Sequence, residues 1–419
     1  MAITHVVGAG LSGLSAAIWL VQAGRRVIVH EAAGQAGGRC RSYLDPVLER
    51  LIDNGNHLVL SGNQAVTRYL EAIGNADGLT GPERASFDFV DCASGERWTV
   101  RPNAGHIPWW ILAAGRRVPG TRVRHYLAAL TLARAGPNAT VAECLEHTGP
   151  AFRRFWEPLA VAVINAEATV GAATLLWPVL VQSFGRGEAA CRPRIAREGL
   201  SACFVDPAVT RLQQAGSIIG LHRRVRALEF EGDRVRALRF GDGAAIALEP
   251  HDGVVLAVPP SAAQELVPGQ AVPIGSNAIV NGHFRLPDAA ETPVIIGLIG
   301  GFSHWLFVRR DIASVTISAA DRVVDLPAPD IAARMWPEVC AALGRPLSAM
   351  PPTRIVKERR ATFAQTPANL GRRPAARTSW RNLILAGDWT DTGLPATIEG
   401  SVASGERAAA AILADTSMS

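Results

Sequence analysis

Thr4-His5-Val6-Val7-Gly8-Ala9-Gly10-Leu11-Ser12-Gly13-Leu14-Ser15-Ala16-Ala17-Ile18-Trp19-Leu20, followed by Val27-Ile28-Val29-His30-Glu31, reads as strand, glycine turn, apolar helix, strand and acid. The three glycines have separate tasks. Gly8 permits the tight turn, Gly10 lets a pyrophosphate approach the backbone, and Gly13 lets the helix lie close to the strand. The phosphates then meet the helix N-terminus at Leu11 and Ser12, where backbone N–H groups lack acceptors. Glu31, with Ala32 behind it, stands where an acid can hold ribose hydroxyls. The stretch predicts a Rossmann-type βαβ unit and a bound dinucleotide.

Two further stretches decide which dinucleotide. Gly34-Gln35-Ala36-Gly37-Gly38-Arg39-Cys40-Arg41-Ser42 is a second flexible loop, and its guanidinium groups can face phosphate oxygens. A nicotinamide fold does not need it. Far downstream, Leu383-Ile384-Leu385-Ala386-Gly387-Asp388 is an apolar strand ending in an acid, and a small-residue helix starts near Thr397-Ile398.

On these residues the chain resembles the amine oxidase and carotenoid desaturase superfamily of FAD enzymes. The resemblance implies an α/β fold: a Rossmann-type FAD-binding domain (glutathione reductase-like, amine oxidase subfamily) with an interleaved α+β substrate-binding domain. It assigns 1–64, 191–260 and 353–419 to the first and 65–190 and 261–352 to the second. It also implies Gly38 and Arg39 at the cofactor, Asp388 with Gly387 on its ribityl-pyrophosphate linker, Thr397-Ile398 beside the flavin pyrimidine, and Val225 offering backbone to the adenine. The turn Asp53-Asn54-Gly55-Asn56-His57 would lie against the flavin, so Gly55, Asn56 and His57 join the expected contacts; His57 can equally be an ordinary turn histidine.

Asp53-Asn54-Gly55-Asn56-His57, Trp156-Glu157-Pro158-Leu159 and Ala386-Gly387-Asp388-Trp389-Thr390-Asp391-Thr392-Gly393-Leu394-Pro395-Ala396-Thr397-Ile398-Glu399-Gly400 narrow the likeness. Together they are similar to the hydroxysqualene dehydroxylase family of bacterial hopanoid biosynthesis, which implies that reduced FAD converts hydroxysqualene to squalene with loss of water. The expected partners are that long isoprenoid and an electron donor for FAD. A carotenoid-type desaturase, running hydride the other way, is the rival enzyme, and a flavin-bound lipid carrier the rival outside catalysis. No cysteine follows Cys340, and Tyr43, Tyr69 and Tyr126 all lie upstream, so FAD is expected to be held non-covalently. For the acid that protonates the departing hydroxyl, the candidates are His57 and Asp391, the latter if apolar surroundings keep it neutral. Asp391 can instead be a cap or turn former.

Composition fits an enzyme-sized globular chain: 419 residues, 48% hydrophobic, net charge +5. The positive charge is almost all arginine, with Lys357 the only lysine and no basic-aromatic helix face, which argues against nucleic acid. Six cysteines without C-x-x-C spacing argue against zinc and disulfides. The first strand begins within a few residues of Met1 and no apolar run reaches ~20 residues, so a cytoplasmic, non-integral protein without a metal is expected. Ile107-Pro108-Trp109-Trp110-Ile111-Leu112 beside Arg116, Arg117, Arg122 and Arg124 could dock on the inner face of the cell membrane or fill the core of the substrate domain.

Along the rest of the chain, helices are expected from 65 to 190, among them one at Val123–Arg134. An alternating strand follows at Gly216–Phe230, then an antiparallel pair of strands to Leu248 and a buried strand at Gly253–Val258. Further strands are expected at Ile279–Leu286, Val294–Leu298 and Ser314–Ala319, with a helix at Ile331–Leu343.

Overall fold

A computed structural model describes residues 2–145 and 149–416. Its centre is a five-stranded sheet in the order Ile218–Gly220, Arg26–His30, Ile3–Val7, Gly253–Leu256, Leu383–Leu385, with every neighbouring pair parallel. These strands are almost uninterrupted apolar runs because both faces are covered. On one face the helices Leu11–Gln22 and Ile398–Thr416 pack in a common core. They approach so closely that a Cβ on Gly405 would stand 2.3 Å from the Ser12 carbonyl oxygen. The other face is covered by an antiparallel sheet of Val225–Glu231, Arg234–Phe240 and Ala245–Ala247. Between the layers the rings of His5 and His30 stack with centroids 5.3 Å apart, joined by a 3.0 Å Nδ1···Nε2 hydrogen bond.

The second large element is a seven-stranded sheet ordered Thr353–Phe363, Ser276–Arg285, Ile312–Ile317, Trp305–Arg309, Val294–Ile299, Phe87–Asp91, Arg97–Val100. The helix Ala328–Ala342 packs on it through Met335, Trp336 and Val339. Short helices between Trp109 and Cys191 surround a separate core rich in aromatic rings.

Four sequence expectations need correction. The stretch 65–190 is not all helical, because Phe87–Asp91 and Arg97–Val100 form a hairpin that extends the large sheet. The helix expected over 123–134 is two short ones, Val123–Leu127 and Ala129–Leu132; the Thr131 hydroxyl donates to the Ala128 carbonyl (2.6 Å), a local bond that competes with the helical ladder. The strand expected over 216–230 divides at His222, whose φ of 56° turns the chain out of one sheet and into the other. Finally, Thr353–Phe363, placed by sequence with the cofactor-binding segments, pairs along its length with Ser276–Arg285 in the seven-stranded sheet. Its Lys-Glu-Arg-Arg centre, natural on an edge strand with an open face, hid that strand in the sequence.

Candidate cofactor and substrate site

The site begins where the first strand ends. Gly8, at φ 104°, donates its N–H to the His30 carbonyl at 2.8 Å, and a Cβ there would stand 2.4 Å from the Ala257 oxygen. A Cβ on Gly13 would stand 1.9 Å from the Gly8 oxygen, so the helix touches the turn as only glycine allows. Around Gly10 the situation is opposite: no heavy atom lies within 4 Å of where its Cβ would be. The first backbone N–H with a partner inside the helix is that of Leu14, bound to the Gly10 carbonyl at 2.9 Å. The N–H groups of Leu11, Ser12 and Gly13 precede that first bond at the positive end of a helix, with the open space at Gly10 beside them, an arrangement that suits an anion.

Glu31 ties this turn to its surroundings. Its Oε2 accepts from the Ala9 N–H and its Oε1 from the Ala33 N–H, both at 2.7 Å, leaving the remaining lone pairs to face outward. Its backbone is gripped in turn by Gly220 and Arg223, which brings the start of the Val225 strand alongside; Ala32 is exposed. The second loop lies directly on the first. Gly37 donates to the Ala9 carbonyl at 2.8 Å, Gly10 and Gly37 form a parallel bridge, and Gly38 (φ 59°) comes within van der Waals reach of Gly10. Arg39 crosses to the far end of the chain, where it meets the buried Asp388 at 2.7 Å and the Ala361 carbonyl at 2.5 Å.

Asp388 follows the strand Leu383–Leu385, and its neighbour Gly387 is held by the Ser404 hydroxyl of the last helix (2.9 Å). The loop beyond is fastened by Arg373, which sequence reasoning missed. This arginine is buried and spends its donors on carbonyls, those of Asp388 (3.2 Å), Thr390 (2.5 Å) and Leu394 (2.8 Å), and on the Thr392 hydroxyl (3.1 Å). Burial lowers its pKa. Nothing local in the sequence distinguishes it from the other arginines. Thr397 lies just ahead of the last helix, which starts at Ile398, and Thr397 accepts from the Gly400 N–H at 3.2 Å.

The turn Asp53–His57 closes the site from the side of the large sheet. Asp53 is an anchor, accepting from Ser42 Oγ (2.6 Å), the Leu200 N–H (2.9 Å) and Arg309 (2.8 Å). Asn56 Nδ2 donates to Thr316 Oγ1 at 2.9 Å, so the next residues are held against the strand Ile312–Ile317. His57 is driven down to a pKa of about 4, mainly by burial, with Arg39 adding to the effect and Asp53 opposing it. At neutral pH it is a neutral imidazole. Of the two roles open to Asp391, its setting is that of the turn former: it is exposed, and its carboxylate accepts from the Gly393 N–H (3.3 Å). The apolar surroundings expected of a neutral aspartic acid are absent around it.

A protein-family model described as flavin containing amine oxidoreductase matches residues 11–413. The chain is 49% identical over 98% of both sequences to the hydroxysqualene dehydroxylase of Rhodopseudomonas palustris, and 39% identical over 98% of both to that of Zymomonas mobilis. The chain belongs to the hydroxysqualene dehydroxylase branch of the flavin-containing amine oxidoreductases. Among solved structures, the cyclohexylamine oxidase of Brevibacterium oxydans superposes with a TM-score of 0.70 over 99% of both chains at 16% identity, a likeness of fold.

As a flavin-containing oxidoreductase the protein holds a flavin, and its residues fit one. The open space before Gly10 and the unpaired N–H groups of the first turn suit a pyrophosphate. The outward lone pairs of Glu31 suit a diol. Among the described residues no group of three or more His, Cys, Asp or Glu is arranged to hold a metal, and no helix is long and apolar enough to cross a membrane.

Proposed function

We propose that this protein removes the hydroxyl group of hydroxysqualene reductively, giving squalene and water, with FAD bound non-covalently. The relationship over 98% of both chains to hydroxysqualene dehydroxylases carries this reading. The reaction balances as one hydride and one proton added, one C–O bond broken and one water released. A reduced flavin supplies the hydride when bound. The chain's own part is to hold the dinucleotide at Gly8, Gly10, Leu11, Ser12, Gly13, Glu31, Ala32, Gly38, Arg39, Val225, Gly387, Asp388, Thr397 and Ile398, to exclude water, and to deliver the proton. For the last role His57 is the nominated acid, on a turn with Gly55 and Asn56. Anaerobic mixing of dithionite-reduced holoprotein with hydroxysqualene tests the reading: flavin reoxidation with stoichiometric squalene is expected, and an unchanged reduced spectrum would sink it.

Non-covalent FAD predicts a yellow protein that releases all its flavin on denaturation. Cys40, the cysteine of the second glycine loop, points into the core and burial pushes its thiol pKa up, so it offers no thiolate. Glu31→Ala leaves the Ala9 and Ala33 N–H groups without their acceptor as well as removing the ribose contact. FAD affinity is expected to fall by about 1–3 kcal/mol, roughly 5- to 150-fold, by equilibrium titration; an unchanged affinity would remove Glu31 from the site.

The protein is further proposed to dock on anionic membrane, where its substrate dissolves. The two tryptophans have parted: Trp110 is 3% exposed and packs edge-on against Tyr126, whereas Trp109 is 48% exposed with Arg116 stacked 4.7 Å over its ring. Ile107 and Leu112 are exposed beside it, and no acidic residue occurs between Arg97 and Ala142. An apolar tip in a field of arginines suits the boundary between lipid tails and anionic headgroups. Flotation with phosphatidylglycerol liposomes should recover wild type several-fold better than a Trp109→Ser/Leu112→Ser variant; equal recovery would place the contact elsewhere.

A further inference from the structure

On the seven-stranded sheet, the strand Ser276–Arg285 turns Asn281 toward the Asp53–His57 turn, beside His283. Asn281 is 1% exposed. Its Oδ1 accepts from Thr316 Oγ1 (2.8 Å) on the neighbouring strand and from the Asn56 N–H (3.4 Å), and Thr316 is itself held by Asn56 Nδ2. These bonds fix the amide so that only the NH2 end is available, and that end has no hydrogen-bond partner. Burying an unpaired donor is costly, and such groups are few in folded proteins. Gly55 lies close beside it: a Cβ at that position would stand 3.2 Å from Nδ2. Gly55 is therefore the backbone that lies closest against this donor.

The proposed substrate is a hydrocarbon with a single oxygen, so all of its polar recognition is confined to that one hydroxyl, which can accept from a buried donor as well as from the acid. We propose that the Asn281 side-chain amide receives the hydroxyl oxygen of the substrate. The amide fixes which carbon is presented to the cofactor, draws electron density from the C–O bond, and holds the oxygen as it leaves as water. This proposal rests on the dehydroxylase reading above.

Binding to the oxidised holoprotein, followed by flavin absorbance, separates the two. Wild type should bind hydroxysqualene about 10- to 100-fold more tightly than squalene, the worth of one hydrogen bond from a desolvated donor. Asn281→Asp keeps the oxygen that serves Thr316 and Asn56 and loses only the N–H; Asn281→Leu loses both. In either variant the preference for the alcohol should disappear while squalene affinity and flavin content stay at wild-type values. A preference that survives in Asn281→Asp and Asn281→Leu overturns the assignment. So does a parallel loss of both ligands, or of flavin, which would make the amide a support of the fold or of the cofactor. Wild-type protein that binds hydroxysqualene no better than squalene and does not convert it would defeat the dehydroxylase reading itself.

Discussion

Bringing the flavin-free protein from pH 7 to about 5 is expected to unfold it cooperatively. His30, His57, His283 and His304 are each pushed from the ordinary 6.5 to about 4, in every case chiefly by burial; His5 is displaced in the same direction. His30 also feels the neighbouring His5 and Arg223, and His283 feels Arg309. A histidine whose folded pKa lies below its unfolded one binds a proton on unfolding. Its stabilising effect is therefore complete above 6.5 and is lost as the pH falls toward 4. At pH 5 a fully displaced ring costs up to ~2 kcal/mol, so together these rings remove a sizeable part of the roughly 5–15 kcal/mol that holds a typical protein folded. Far-UV circular dichroism against pH measures this directly. A native signal that persists unchanged to pH 4.5 would show that these rings are protonated in place.

For turnover, the largest single effect should come from His57, and its direction with pH is set by the same displacement. An imidazole with a pKa near 4 is charged in only about one molecule in a thousand at pH 7. If that charged form delivers the proton, single-turnover flavin reoxidation should quicken about tenfold for each unit of pH lowered between 8 and 6. His57→Ala should lower the rate at pH 6 by about 10²–10⁴-fold and abolish the slope, with FAD still bound. Asp391→Ala, at an exposed turn, should remain within a few-fold of wild type. A flat wild-type profile, or a slope that survives in His57→Ala, would assign the proton to another group.

The cofactor side of the molecule was legible because its chemistry is local. A glycine that must turn, another that must touch, and a strand that must be apolar on both faces leave marks within thirty residues of one another. The substrate side is built differently. Asn281, Thr316 and Asn56 meet across three elements far apart in the chain, and no spacing rule connects them. Arg373 acts on carbonyls, whose identity is the same at every residue, so its partners leave no trace in the sequence. Trp109 and Trp110 show the limit from the other direction. The sequence offered the segment as a whole either a docking role or a place in the core, and adjacent letters could not say that one ring is buried and the other exposed until the fold oriented each.

The close seating of Gly405 on Ser12 also sets an order in time. The glycine turn leaves the ribosome long before the last helix and the loop fastened by Arg373, which lie beyond residue 387. At ordinary rates of synthesis that interval is roughly 20 to 80 s. Throughout it the first helix has an uncovered apolar face and half a cradle for the dinucleotide. Flavin capture must then be a closing event of synthesis, and premature termination anywhere before the last helix yields a chain that cannot retain the cofactor, however much of the large sheet it has completed.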